Sequence, residues 1–190
     1  RRDDVFELDR RLRAGSAVVV IVVAGGKSES CEKQRRSECG AKVLFFSSDV
    51  VYGNAIEKVD EDSKTNPFGN YAKMKDEVEK AFENEKNFKV FRLSYVLSNE
   101  DKYLSYLKIC IDKNEVAEVF HPFSRKVVFI DDVLESIENI LLKWNEFENQ
   151  KFNICGVEEI SRKDIADFYN EEVDNKLKYT IIEPNGKFWD

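Results

Sequence analysis

Short apolar runs alternate with helical stripes along most of the chain. Ala17 to Val23 is apolar throughout and rich in β-branched residues, the pattern of a strand buried on both faces, as in a parallel sheet. A second buried strand, Val43 to Phe46, delivers Ser47, Ser48 and Asp49 to its end. Asn66-Pro67 marks a turn, and Tyr71 to Glu85 then reads as a helix with Ala72, Val78, Ala81 and Phe82 on its inner face. Phe88 to Leu93 is a third strand, ending at Ser94. Strand, helix, strand in this order predicts a βαβ parallel arrangement with right-handed crossovers.

On either side the pattern is less regular. Asp4 to Arg13 and Ser28 to Gly40 predict short helices upstream. Downstream come a helix over Tyr103 to Ile111, a strand over Val116 to Phe120, and an extended RKVVFIDD segment from Arg125 to Asp132. Asp131 or Asp132 is placed to cap the helix Val133 to Trp144. Lys151 to Cys155 and Leu177 to Ile182 are strands flanking a helix from Ile160 to Val173. Ser161 caps that helix, but its partner three residues on is Asp164 rather than Glu or Gln, so the capping box is imperfect.

With 190 residues and 42% hydrophobic content, the chain can bury one core. A 35% charged fraction and a net charge of −7 disfavour general nucleic-acid binding, so an anionic ligand must meet a local basic pocket. Cys31, Cys39, Cys110 and Cys155 show no metal-ligand spacing, and there is one histidine, which predicts reduced thiols in a cytoplasmic protein and no metal. The run Ala17 to Ala24 is too short to span a bilayer, and no membrane association is expected. Residues 1–42 differ from the rest: they hold 7 of the 10 Arg and none of the 14 Asn, and are net positive in an acidic chain.

The chemistry-bearing stretch runs from Val43 to Lys75. A hydroxyl at a strand tip faces a helix that carries Tyr71 and Lys75 one turn apart. Strand ends of open α/β sheets are where ligand chemistry collects.

FSSDVVYG (46–53) and NPFGNYAKMK (66–75), with their short separation, resemble the extended short-chain dehydrogenase/reductase family of nucleotide-sugar epimerases, dehydratases and reductases, and within it the dTDP-4-dehydrorhamnose reductase group. The resemblance implies an α/β fold: a partial Rossmann-like parallel sheet flanked by helices over residues 1–94, and over 95–190 mostly a small substrate-binding part interleaved with it. It implies NAD or NADP as cofactor, with Ala24, Gly25, Tyr71 and Lys75 against it. A nucleotide-activated sugar is the implied substrate, held by Ser48, Asp49 and Arg125, the last at the diphosphate. A homodimer through the helix bearing Tyr71 is a further expectation.

In that family Ser48, Tyr71 and Lys75 would be catalytic. The family's hydroxyl lies four residues before the aromatic of the VYG triplet, here Tyr52, which selects Ser48 over Ser47. A phenol has a reference pKa near 10, and an ammonium beside it favours the phenolate. Val50 stands where the dehydratases place a glutamate base, so dehydration is discounted, and the spacing from Ser48 to Tyr71 favours reduction over epimerisation.

The chain departs from the family at one point. No G-x-x-G-x-x-G turn, the motif that seats a dinucleotide pyrophosphate, occurs in it, and the interval from Gly26 to Val43 is shorter than the family's helix there. The expectation is a partial record of a longer enzyme, with a true truncation that holds dinucleotide poorly as the alternative. A non-catalytic regulatory subunit on the same fold, as in the family's relative attached to methionine adenosyltransferase, and a ligand-free structural fragment are the other readings.

Overall fold

The computed structural model describes residues 18–21, 42–53 and 58–183. The helices expected over 4–13 and 28–40, together with Ala24, Gly25, Cys31 and Cys39, lie outside the described residues. The chain divides into two compact units, Arg1–Leu93 with Asp131–Ile154, and Ser94–Ile130 with Cys155–Asp190.

The first unit is built on a four-stranded sheet in the order β1 (Val18–Ile21), β2 (Lys42–Ser48), β3 (Phe88–Leu93), β7 (Lys151–Ile154), parallel throughout. The near-continuous apolar reading of β2 and β3 has its cause here, since such strands are covered on both faces. Helix α1 (Gly69–Ala81) connects them. On one face Val43, Phe45, Val78, Phe88 and Val90 form a core joined by Phe82. The Phe88 ring stacks on Phe82 at 4.9 Å and on Phe45 at 6.1 Å. Each such side chain contributes about 1.5–3 kcal/mol when withdrawn from water. Phe82 is the C-cap, its amide donating to the Glu79 carbonyl at 3.4 Å, so α1 stops at Ala81 rather than Glu85.

Helix α3 (Ile130–Leu142) buries Val133, Ile137, Ile140 and Leu141, a stripe at helical spacing. It begins directly after β6 (Ser124–Phe129), so Asp131 and Asp132 fall inside its first turn instead of at the cap expected of them. There their charge still complements the positive helix end. The return to the sheet is fixed by Lys89, a buried lysine in β3. Its ammonium donates to the Phe147 and Asn149 carbonyls, each at 2.8 Å, and lies over the Trp144 and Phe152 rings.

The second unit holds a three-stranded sheet, β4 (Tyr95–Leu97), β6 and β8 (Glu159–Ser161), and a parallel pair, β5 (Val116–Phe120) with β9 (Lys178–Ile182). Helices α2 (Lys102–Lys113) and α4 (Arg162–Glu172) complete it. Its core contains Tyr103, Leu107, Cys110, Ala117, Val119, Ala166 and Leu177. The capping box of α4 is complete despite the shorter acid: Ser161 Oγ accepts from the Asp164 amide at 3.1 Å, and Asp164 Oδ2 accepts from the Ser161 amide at 2.8 Å. Ile160, expected to open this helix, belongs to β8. No described helix is long and apolar enough to cross a membrane.

Candidate functional site

Strand alternation separates the two serines at the end of β2. Ser47 is buried, and its hydroxyl donates to the Glu79 carboxylate. Ser48 is half-buried and caps a single 3-10 turn, Asp49–Tyr52, accepting weakly from the Val50 amide at 3.5 Å and donating to Asp49 Oδ1 at 3.1 Å. Asp49, expected at the substrate, thus holds the Ser48 proton here. Gly53 closes the turn with φ +64°, and a Cβ there would lie 2.1 Å from the Asn66 carbonyl oxygen, so only glycine fits. The chain returns at Asn66, whose amide donates to the Val51 carbonyl at 3.0 Å, and two residues further Phe68 precedes α1.

Tyr71, Lys75 and Glu79 occupy successive turns of one α1 stripe. Tyr71 is 57% exposed and makes no hydrogen bond to a described residue. Lys75 is 5% exposed; its ammonium donates to the Phe46 carbonyl at 2.6 Å and lies 4.8 Å from the Phe45 ring centroid and 5.6 Å from that of Tyr71. Burial lowers the Lys75 pKa, and the Glu79 carboxylate partly opposes that by attracting the charge. The ammonium is therefore fixed between a strand-end carbonyl and an exposed phenol ring. Two of its three N–H groups are free of protein acceptors among the described residues.

Behind this stripe is a buried network that sequence reasoning missed. Arg92, on β3, is fully buried and pairs with Glu79, Nη2 to Oε2 at 2.7 Å and Nε to Oε2 at 3.1 Å. Its Nη1 donates to Tyr52 Oη at 2.6 Å and to the Glu61 carbonyl at 3.2 Å. Tyr52 Oη lies 2.8 Å from both the Asp60 carbonyl and Asn153 Oδ1, so its one proton is shared between two acceptors. Burial raises the Tyr52 pKa, which keeps the phenol neutral. Beyond it, Glu61 Oε1 accepts from the Asn153 amide at 2.8 Å. The network joins β2, β3, β7, α1 and the loop around Asp60. Its signal in the sequence was an arginine inside a strand that is apolar apart from Lys89, opposite Ser47 in register.

Arg125 lies in the second unit. With Tyr95, Phe123, Ile160, Arg162 and Ile165 it lines a cavity of about 140 Å³. Its guanidinium is 5.6 Å from the Phe123 ring centroid. Among the described residues no group of His, Cys, Asp and Glu could hold a metal ion. Cys110 is buried and Cys155 exposed, both as free thiols.

A parallel sheet carrying a hydroxyl at one strand end, with a Tyr-x-x-x-Lys pair on the following helix, defines a Rossmann-like α/β fold. A family model described as RmlD substrate binding domain matches residues 29–181. The chain belongs to that family. No curated protein matches it.

Solved structures share the fold at low identity. The Bordetella bronchiseptica enzyme WbmG, in complex with NAD and UDP, is 19% identical over 96% of this chain and 65% of its own, with a TM-score of 0.72. UDP-glucuronic acid 4-epimerase from Bacillus cereus, in complex with UDP-glucuronic acid and NAD, is 17% identical over 93% and 65%, with a TM-score of 0.66. RMD from Pseudomonas aeruginosa, complexed with NADPH, is 16% identical over 90% and 69%, with a TM-score of 0.67. The chain spans about 65% of the length of the first two.

Proposed function

We propose that this chain carries the reacting residues of an NAD(P)-dependent enzyme acting on a nucleotide-activated sugar, and that it works as a reductase of a keto-sugar. The observation that carries the reading is the fixed Lys75 ammonium beside the exposed Tyr71 phenol. Family membership supports it, as do NAD, NADPH and UDP-glucuronic acid in proteins of this fold. Epimerisation uses the same three side chains. The spacing from Ser48 to Tyr71 is what favours reduction.

In this reading Tyr71 exchanges a proton with the sugar oxygen, and its exposure leaves it open to a reactant. Lys75 sets a positive charge 5.6 Å from the Tyr71 ring centroid, and its two free donors suit ribose hydroxyls. Ser48 turns its hydroxyl from Asp49 to the reacting oxygen, giving up a 3.1 Å bond worth about 1 kcal/mol. Donating there, it opposes the charge that develops on that oxygen. A bound nicotinamide supplies the hydride. The residues fit the ribose end of such a cofactor, whereas no glycine-rich turn for its pyrophosphate occurs in the sequence. Arg125 holds the substrate's diphosphate, a role that suits a guanidinium's paired donors.

The experiment is NADPH and NADH oxidation with a keto-sugar nucleotide, comparing the native protein with Tyr71→Phe. Loss of at least about 100-fold in turnover with unchanged melting temperature is expected, because general acid–base groups contribute on that scale. Full turnover in the variant overturns the assignment.

A further inference from the structure

Strand register puts a second arginine beside Arg125. In the antiparallel pair β6 and β8, Arg125 faces Ile160 and Ser124 faces Ser161. One step further, the Arg162 amide donates to the Phe123 carbonyl at 3.1 Å. Side chains two apart on a strand share a face, so Phe123, Arg125, Ile160 and Arg162 all project to one side. Those four residues, with Tyr95 and Ile165, line the cavity of the second unit. Both guanidinium groups pack on the Phe123 ring, Arg162 at 5.0 Å and Arg125 at 5.6 Å, and Arg162 also lies 5.1 Å from the Tyr103 ring.

No carboxylate among the described residues forms an ion pair with either arginine. The acids nearby in sequence keep their charge but are held by other donors: Asp101, beside the cavity, accepts from Tyr95 Oη and from the Tyr103 and Leu104 amides, and Asp164 closes the capping box of α4. Arg162 is moreover the first residue of α4, where the helix field opposes a cation. Two like charges that share one aromatic ring and one cavity repel each other, and an anion between them would relieve that repulsion.

We propose that Arg162 is a second anion-binding residue of this cavity, and that the Arg125–Arg162 pair selects a diphosphate over a monophosphate. The inference rests on the reading of Arg125 as a substrate ligand and adds a residue to it. A diphosphate offers adjacent phosphoryl groups, one for each planar fork. Phe123 and Tyr103 hold the Arg162 side chain flat, so little rotamer freedom remains to be lost on binding.

The test is calorimetric titration of the full chain with UDP, UMP and inorganic pyrophosphate at low salt, on native protein, Arg125→Gln, Arg162→Gln and Arg162→Lys. Because the backbone bonds of Arg162 to Phe123 and Tyr103 survive substitution, the variants keep their fold, which circular dichroism and melting curves check. Arg162→Gln should weaken UDP by about tenfold, the scale of one charge-assisted contact, and bring UDP close to UMP; Arg162→Lys should recover part of the loss. The same loss for pyrophosphate locates the effect in the diphosphate. Tighter binding of UDP than of pyrophosphate marks a nucleotide-linked source, and equal binding marks free pyrophosphate; the pair is confirmed in both cases.

Unchanged UDP and pyrophosphate binding in Arg162→Gln, with loss in Arg125→Gln, overturns the inference and leaves the reading of Arg125 standing. Unchanged binding in both variants overturns both. Native protein that binds neither UDP nor pyrophosphate overturns the inference as well.

Discussion

Two sets of arginines divide the molecule by how their charge is met. Arg92 in the first unit is withdrawn from water and satisfied by a carboxylate, a phenol and a backbone carbonyl. Arg125 and Arg162 in the second unit line an open cavity without an ion-pair partner among the described residues. A buried charge with complete partners holds elements in place, and removing one partner strands the other. A half-exposed charge facing a cavity adds little to stability and keeps its donors for a ligand. The contrast separates an arginine that builds the scaffold from arginines that, in the function proposed above, receive an anion.

The largest test of this contrast is Arg92→Met, which leaves the Glu79 carboxylate buried and unpaired. It should cost about 3–5 kcal/mol in urea unfolding, and adding Glu79→Gln should return a substantial part of that. A single-variant cost below about 1 kcal/mol would show that the pair is not a scaffold element. Next in size is the expected indifference of Arg125→Gln: its unfolding free energy should lie within about 0.5 kcal/mol of native, as for surface substitutions in general. A loss comparable to that of Arg92→Met would erase the distinction between the units.

The smallest effect is acidification of the second unit. Asp167 is held below the usual carboxylate range first by its bond from Lys163, and Asp164 first by its bond from Ser161. Folded pKa values below the unfolded value of 3.8 mean that this stability is fully present above pH 3.8 and fades as pH falls through the folded values. Melting curves at pH 6 and pH 3 should show a decrease smaller than that of Arg92→Met. Unchanged melting would show that these exposed bonds contribute nothing.

The βαβ segment was legible in the sequence because burial on both faces writes itself as apolar runs: β2 and β3 appear at those runs, and α1 follows the Asn66-Pro67 turn but covers Gly69–Ala81 rather than Tyr71 to Glu85. So were the positions of Ser48 at the end of β2 and of Tyr71 and Lys75 one turn apart on α1, which depend on local spacing. The Arg92–Glu79 pair was not, since a buried ion pair across 13 residues has no periodic signature. Strand β8 was hidden by its three-residue length and by the helix signal that follows it. Asp164 completes its capping box although the sequence rule prefers a longer side chain, because the bonds of Ser161 bring the donor within reach. Arg162 was invisible as a cavity residue until strand register aligned it with Phe123.

The closure of the excursion between Gly53 and Asn66 has a consequence for how such a protein can diversify. Both ends of that excursion are tied to the same 3-10 turn, at Val50 and Val51, while within it Asp60 and Glu61 are held by Tyr52, Arg92 and Asn153, so only the rest of it is free of the site's scaffold. Lengthening it costs only about 0.6 kcal/mol for each doubling. An insertion outside the Asp60–Glu61 contacts should therefore leave Ser48 and the start of α1 where they are.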